Sequence, residues 1–253
     1  MPLLARLQRA AFLMFSVASV AACAGSNGTG LAPDGINDPR EAQNRKVHAF
    51  NKNLDRNVVR PVALGYAKVV PDGVEDSVSN FATNLGQPSV MVNSLLQGDL
   101  RGLGLSTLRF TLNSTAGVLG LFDPATAMTV AQHDTDFGET LFVWGVGEGA
   151  YQELPVLGPS TARRTTGRVV DLFTNPLSYV LDSPESYLGT VASVGSGLSA
   201  RAKFSDTVDS ILYESADSYA QSRLIYLQNR RFTLGDEDVA TEIDPFELDT
   251  EGF

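Results

Sequence analysis

The spacing of apolar residues predicts a body built mainly from α-helices. From Asp72, apolar side chains recur every three or four residues as far as Leu85, which is the period of one helix face. Asp72 suits the N-cap of this helix and Gly86 suits its end. A second helix is predicted to begin near Pro88 and to end near Gly98, because proline is favoured in a first turn.

Three further stretches carry helix signals. Residues 105–122 are apolar enough to form a buried helix, with a break near Gly117. Pro159 marks another helix start, in the segment GPSTARRTTGRVVDLF. The longest predicted helix runs from Phe204 to about Arg231, because this stretch lacks glycine and proline and keeps one apolar face.

The middle of the chain has a different composition. Residues 134–160 contain five glycines among Phe, Trp and Tyr, a mixture that disfavours helix. We therefore predict a non-helical central segment in which TLFVWGV, residues 140–146, forms a short strand. The glycines would allow tight turns and close approach of neighbouring backbone.

The N-terminus has the layout of a secretory signal. Arg6 and Arg9 precede an apolar run over residues 10–22, which is too short to span a bilayer. The sequence VAAC then ends at Cys23, the single cysteine of the chain, and matches the bacterial lipobox. Acylated Cys23 would anchor the protein to a membrane. The alternative is an ordinary signal followed by a chance cysteine.

These features divide the chain into four parts. Residues 1–22 are predicted to be a lipoprotein signal peptide, and residues 23–36, rich in Gly and Pro, a flexible lipidated tether. The folded domain would occupy residues 37–233, and residues 234–253 would form an acidic, disordered tail. Ala24 at the position after the cysteine favours sorting to the outer membrane of a Gram-negative bacterium.

Charge and motif content exclude several functions. The formal net charge of −10 argues against nucleic acid, which requires a basic face. GVGEG lacks the lysine or the following helix of a phosphate loop, so a compact turn fits it better. DTD at residues 134–136 begins like a calcium loop but lacks the later ligands, and fits a surface turn. We expect no metal, no cofactor and no catalytic residue.

Several strings, taken in order, resemble the MlaA family, also called VacJ lipoproteins. The most specific are SNFATNLGQPSVMVNSLLQGD at residues 79–99 and DFGETLFVWGVGEGAYQELPVLGPSTARR at residues 136–164. The similarity extends over residues 37 to about 231, although residues 183–203 have no residue-by-residue match. It implies a mainly helical ring that lies in one membrane leaflet and encloses an amphipathic channel.

The resemblance also implies function and partners. Proteins of this family are outer-membrane lipoproteins that remove misplaced phospholipid from the outer leaflet. They pass it to a soluble periplasmic carrier, MlaC, and associate with trimeric porins. A membrane-anchored lipid hydrolase, which could use His133, and a purely structural lipoprotein are the alternatives.

Two groups of residues are candidate channel elements by this resemblance. Phe50 and Asn51 match a segment near the channel and are candidate gate residues. Otherwise, Phe50 would belong to the core and Asn51 to a helix surface. A second segment matches a loop that flanks the pore, and its alternative interpretation is a turn begun by proline. Its candidate residues are Leu121, Phe122, Asp123, Pro124 and Met128.

Overall fold

The computed structural model describes residues 36–177 and 187–235. Within these ranges the protein is mainly helical, as the sequence predicts. Cys23, the signal peptide, nearly all of the tether and most of the acidic tail lie outside the described residues. The predictions made for them therefore stay predictions.

The elements follow one another with short connections. Two helices continue through a turn of π-helix, one near each end of the described chain. In chain order the elements are α1 (Glu41–Leu54), a π-helical turn (Asp55–Val59), α2 (Arg60–Val69), α3 (Asp72–Gln97), α4 (Leu100–Thr115), α5 (Pro124–Ala127), α6 (Phe137–Val143), β1 (Tyr151–Leu154), β2 (Gly158–Thr161), α7 (Ala162–Thr174), α8 (Leu188–Lys203), α9 (Ser205–Asp209), a second π-helical turn (Ser210–Glu214) and α10 (Ser218–Thr233).

Helix α3 is one helix of 26 residues, where the sequence predicts two. Gly86 does not end it, and Pro88 lies in its interior and is buried. An interior proline costs about 3 kcal/mol because it removes a hydrogen bond and crowds the preceding turn. Packing of α3 along both α4 and α8 offsets this cost. The predicted end is correct: Gly98 adopts the left-handed conformation, with φ of 75°.

Helix α4 has its polar face buried. It begins at Leu100, where the side chain of Asp99 accepts a hydrogen bond from the Gly102 amide at 2.9 Å. It ends at Thr115, so the predicted break near Gly117 is confirmed. The expectation of a buried apolar helix is wrong. The buried positions are Gly102, Ser106, Arg109 and Asn113, whereas Leu100 and Leu108 are exposed.

The long helix predicted over residues 204–231 is also wrong, because the chain leaves the helical conformation at residues 215–217. After α9 and the second π-helical turn, Ser215 is extended, with ψ of 148°. Asp217 then caps α10 by accepting hydrogen bonds from the amides of Tyr219 and Ala220, each at 3.1 Å. Its carboxylate also pairs with Arg45 on α1. A capping side chain that has a distant partner decides where this helix starts.

The central segment combines a helix with a hairpin. Residues 137–143 are helical, so the predicted strand at TLFVWGV is wrong. Asp136 caps α6 by accepting a hydrogen bond from the Glu139 amide at 3.0 Å, and this cap outweighs the composition. The segment that follows is non-helical, as predicted, as far as the antiparallel β1–β2 hairpin. Pro159 lies in β2, and α7 starts three residues later, capped by Thr161.

The interior is more polar than that of a typical water-soluble domain. Among the residues that the structure describes, nineteen buried residues are polar or charged and eight are hydrophobic. The apolar cluster is small and consists of Ile36, Tyr151, Tyr219 and Leu227. Large apolar side chains instead lie on the outside of most helices. Over the described ranges, no helix has both the length and the apolar character needed to cross a membrane.

Close packing of α6 on α7 gives a testable prediction about stability. A Cβ atom on Gly167 would lie 2.3 Å from the backbone nitrogen of Gly138. Gly167→Ala should therefore force the helices apart and destabilise the fold by about 2 kcal/mol. Thermal unfolding of the purified protein in detergent should show a fall in Tm of several degrees.

The matched control for this variant is Gly104→Ala. Gly104 is an exposed position of α4 with open space around its Cβ direction. Alanine there should leave Tm unchanged or raise it, because alanine favours helix over glycine. Equal Tm values for the two variants would contradict the close contact.

Candidate functional site

Asn51 joins α1 to the turn of the β1–β2 hairpin. Its amide nitrogen Nδ2 donates to the carbonyl of Leu154 at 2.9 Å and to Glu153 Oε1 at 3.3 Å. Its oxygen Oδ1 accepts from the amide of Val156 at 2.8 Å. Val156 has a φ of 69°, which is costly for a β-branched residue. Asn51 thus holds a strained turn in place from a helix about one hundred residues away in sequence.

Phe50 has a different environment from its neighbour. It is 53% exposed, so the alternative that it belongs to the core is wrong. Asn51 lies on α1 and is half-buried, and its side-chain amide both donates hydrogen bonds to the hairpin and accepts one from it, so the alternative of a helix-surface residue does not describe its contacts. The structure places an exposed aromatic ring beside an amide that fixes the hairpin turn. Their role as a channel gate stays a prediction.

A pocket of about 260 Å³ lies beside Asn51. One part of its wall is polar and contains charged groups, and the other part is aliphatic. The polar residues include His48, Asn51, Lys52, Asp55 and Glu153, and the aliphatic residues include Leu54, Val59, Val156, Leu157 and Leu212. Both π-helical turns contribute to it, through Asp55, Val59 and Leu212. Such a wall can contact a molecule that has a polar end and an apolar end.

The polar wall of this pocket includes part of a hydrogen-bonded row of buried side chains. His48 Nε2 lies 3.1 Å from Ser218 Oγ, and His48 Nδ1 lies 3.4 Å from Glu153 Oε1. The hydroxyl of Tyr151 donates to Glu153 Oε2 at 2.5 Å. Burial, together with the adjacent Glu153 carboxylate, raises the pKa of Tyr151, so this hydroxyl stays a donor. The sequence contained no spacing that would have brought these residues together.

Hydrogen bonds from the buried Arg109 of α4 fix the loop between α4 and α6. This guanidinium, whose residue is 2% exposed, donates to Asp123 Oδ2 at 2.7 Å and to the Val130 carbonyl at 2.6 Å. Asn113 donates to the other oxygen of Asp123 at 3.0 Å. Burial raises the pKa of Asp123, but hydrogen bonds from Thr126 and Asn113 and the charge of Arg109 outweigh it, so that the net shift is downward.

The same loop presents apolar side chains outward. Leu121, Phe122 and Met128 are exposed, Phe122 to 60%. Pro124 begins the short helix α5, capped by Asp123, so the interpretation as a proline-initiated turn describes the local structure. Whether this loop flanks a pore stays a prediction.

A second cavity, of about 380 Å³, lies between α3, α7 and α8. Small and polar residues of α8 form one side, and Leu85 and Leu172 contribute apolar surface. The α8 residues are Gly189, Thr190 and Ser193. They fall in the part of the sequence that had no residue-by-residue match, and small residues four apart on one helix face are the signal that could have indicated it.

Comparison with known proteins gives consistent results. The family described as MlaA lipoprotein matches residues 36–233. The chain is 35% identical over 229 residues to the intermembrane phospholipid transport system lipoprotein MlaA of Escherichia coli K12, covering 87% of this chain and 88% of that protein. It is 31% identical over 248 residues to the protein of the same name from Haemophilus influenzae, covering 91% and 96%.

A solved structure is similar as well. It comes from work on the structural basis for maintenance of bacterial outer membrane lipid asymmetry. The TM-score is 0.67 at 34% sequence identity, and the match covers 78% of this chain and 98% of that chain. At this identity the similarity supports the arrangement of helices described above.

The bonds of Asn51 predict a measurable change in the hairpin turn. Asn51→Ala removes the acceptor of the Val156 amide and both donors to β1. Loss of one such bond costs about 1 kcal/mol or more, so exchange of the Val156 amide should accelerate about tenfold. Hydrogen exchange of peptides that cover residues 151–161 measures this.

Asn57→Ala is the control, because Asn57 is exposed and bonds within its own helical segment, to the Asn53 carbonyl. It should leave hairpin exchange at the wild-type rate. If both variants gave the same exchange at the hairpin, Asn51 would not be what holds the turn.

Proposed function

Because the chain belongs to the MlaA lipoprotein family, we propose that it is the lipoprotein of an intermembrane phospholipid transport system. It would help to maintain the lipid asymmetry of the bacterial outer membrane. The observation that carries this proposal is the inverted polarity of the fold. Buried polar side chains occupy the interior, and large apolar side chains lie outside.

This arrangement suits a protein that moves phospholipid. A polar head group enters hydrocarbon at high cost unless polar partners accompany it, whereas acyl chains can remain in lipid. The apolar outer side chains would contact hydrocarbon. The polar interior would provide a route for the head group, and the protein would act as a passive conduit with no catalytic step.

Within this proposal the two candidate elements have different tasks. Asn51 would hold the hairpin turn beside the pocket, and the exposed ring of Phe50 would contact the entering lipid, so that the pair gates the channel. The second element is the loop that Arg109 holds through Asp123, and it would flank the pore. Its residues are Leu121, Phe122, Asp123, Pro124 and Met128. Both assignments are supported by the family resemblance together with the contacts above.

The proposal extends to the anchor and the partners. Acylated Cys23 would attach the protein to the periplasmic side of the outer membrane. A soluble periplasmic carrier similar to MlaC would receive the phospholipid, and a trimeric porin would hold the lipoprotein in the membrane. These assignments rest on the lipobox and on the family resemblance.

A lipid hydrolase is the second candidate, and one observation favours it. Ser218, His48 and Glu153 are hydrogen-bonded in the order of a serine hydrolase triad. Against this, Ser218 is buried, and the Lys52 ammonium donates to its hydroxyl at 3.3 Å. His133 was the candidate histidine of a hydrolase in the sequence analysis. Its Nε2 atom instead lies 3.4 Å from Asp99 Oδ2.

The hydrolase candidate is tested with purified wild-type protein and Ser218→Ala in phospholipid vesicles. As a passive conduit, the protein should release no fatty acid in either form, measured by mass spectrometry. Release by wild type that disappears in Ser218→Ala would establish the hydrolase and overturn the passive mechanism.

The transport proposal is tested by phospholipid in the outer leaflet of cells that lack this gene. We expect this quantity to rise in the deletion strain. Wild type should restore it, and Cys23→Ala should not, because the variant loses its acyl anchor. Ser19→Ala, a change within the signal sequence that leaves the lipobox intact, is the control and should restore it fully.

Each result bears on a separate part of the proposal. No rise in the deletion strain would overturn the transport role and favour a structural lipoprotein. Full rescue by Cys23→Ala would contradict the anchor while leaving transport in place.

A further inference from the structure

Three arginines converge where α7 and α10 meet the start of α6. Arg164 and Arg168 are four residues apart on α7 and therefore share one helix face. Arg230, near the end of α10, binds the same carboxylate as Arg164, that of Asp136. Like charges at this spacing repel each other, so the arrangement needs a source of negative charge.

The carboxylate of Asp136 already has three partners. Its carboxylate accepts the Glu139 amide at 3.0 Å as the cap of α6. It also pairs with Arg164 at 2.8 Å and with both terminal nitrogens of Arg230 at 2.9 Å. With these three partners, Asp136 makes no ion pair with Arg168 among the described residues.

Arg168 is the one of these three arginines that makes no ion pair with a described residue. Its Nη1 atom is buried and has no hydrogen-bond partner anywhere in the described ranges. Burial lowers the pKa of Arg168, and the positive charge of Arg164 lowers it further. Buried guanidinium nitrogens in folded proteins are normally hydrogen-bonded, so the unpaired Nη1 atom of this half-buried side chain indicates a missing acceptor.

Two other carboxyl groups nearby are weak candidates for that partner. Asp171 accepts hydrogen bonds from Asn93 at 3.1 Å and from the Phe137 amide at 3.2 Å, and lies 3.9 Å from Arg164. Burial raises the pKa of Asp171 and that of Glu139. Neither carboxyl group makes an ion pair or a hydrogen bond with Arg168 in the described part of the chain.

Tyr226 supplies a further donor to the cluster. It lies one turn before Arg230 on α10, on the same face. Burial raises its pKa, so its hydroxyl remains protonated. The side chain of Arg164 is 24% exposed, more than that of Arg230, so Arg164 is the one of these two arginines that lies nearer to solvent.

We propose that Arg164, Arg168 and Arg230 form a binding site for a phosphate group. Guanidinium groups bind phosphate oxygens through paired, charge-assisted hydrogen bonds, and a phosphate would supply both the missing acceptors and the missing negative charge. The phosphate is that of a phospholipid head group or free inorganic phosphate. The lipid source rests on the transport function proposed above, and the free-phosphate source does not.

The first test uses the full-length protein in detergent and measures thermal unfolding with and without inorganic phosphate at constant ionic strength. Arg168→Gln should raise Tm in phosphate-free buffer, because it removes a half-buried positive charge that has no ion pair and lies next to Arg164. Wild type should exceed the variant at saturating phosphate. This crossover separates a ligand site from a merely structural arginine, whose loss would lower Tm in both buffers.

Binding constants provide the second readout. Titration calorimetry with inorganic phosphate should give a Kd about tenfold weaker, or more, for Arg168→Gln than for wild type. Arg101→Gln is the matched control, because Arg101 is an exposed arginine of α4 for which the described part of the chain shows no ion pair. Arg168→Lys, which keeps the charge, should fall between the two.

A third arm identifies the source of the phosphate. The same variants are titrated with dihexanoylphosphatidylcholine below its micelle concentration. Weaker binding of this lipid to Arg168→Gln than to Arg101→Gln supports a head-group site, and weaker binding of inorganic phosphate alone supports a free-phosphate site. Equal binding of both probes to both variants, with no crossover in Tm, overturns the proposal.

Failure of the transport function would be recognised separately. If deletion of the gene did not alter outer-leaflet phospholipid while Arg168→Gln still lost inorganic phosphate, the phosphate site would stand without the transport role. If transport were confirmed and neither probe distinguished Arg168→Gln, the site would be wrong and the transport role would stand.

Discussion

Hydrogen bonds between buried polar side chains hold this fold together. A chain of such bonds runs from Gln97 on α3 to Thr140 on α6, from Thr140 to Asn93, and from Asn93 to Asp171 on α7. A buried polar group left unpaired costs about 1–3 kcal/mol, more than a made bond contributes. The helices must therefore keep the positions that satisfy these groups, although few large apolar side chains are buried between them.

The same constraint fixes the irregular segments. The hairpin turn and the loop after α4 both contain residues with positive φ, at Val156, Val118 and Leu119. Each is held by a side-chain amide on a helix: the half-buried Asn51 accepts a hydrogen bond from the Val156 amide, and the buried Asn84 donates one to the Leu119 carbonyl at 3.3 Å. Strained backbone is kept in place by amides from helices, and the exposed side chains of these segments remain free to contact a partner or lipid.

The arginine cluster stands out against this background. Elsewhere in the interior, buried arginines form ion pairs with carboxylates. Arg109 pairs with Asp123 and Arg223 pairs with Asp38, each at 2.7 Å. At Arg164, Arg168 and Arg230 the pairing is incomplete, because Arg168 makes no ion pair with a described residue and its Nη1 atom has no hydrogen-bond partner there. In a fold whose stability depends on paired buried groups, an incomplete pairing indicates a place where a ligand completes the structure.

The sequence by itself determined the helical class, the helix end at Gly98, the break near Gly117 and the family, because these depend on local capping, on spacing and on the quoted motifs. Periodicity identifies which residues share a helix face. It does not say which face is inside, and the usual rule that apolar faces turn inward failed for α4. That rule assumes water outside, whereas this protein exposes its apolar faces. Tertiary packing alone decided that α3 continues through Pro88, that Asp217 restarts a helix, and that His48, Glu153 and Ser218 meet. Each of these depends on contacts with residues far away in sequence, and such contacts cannot be predicted from local spacing.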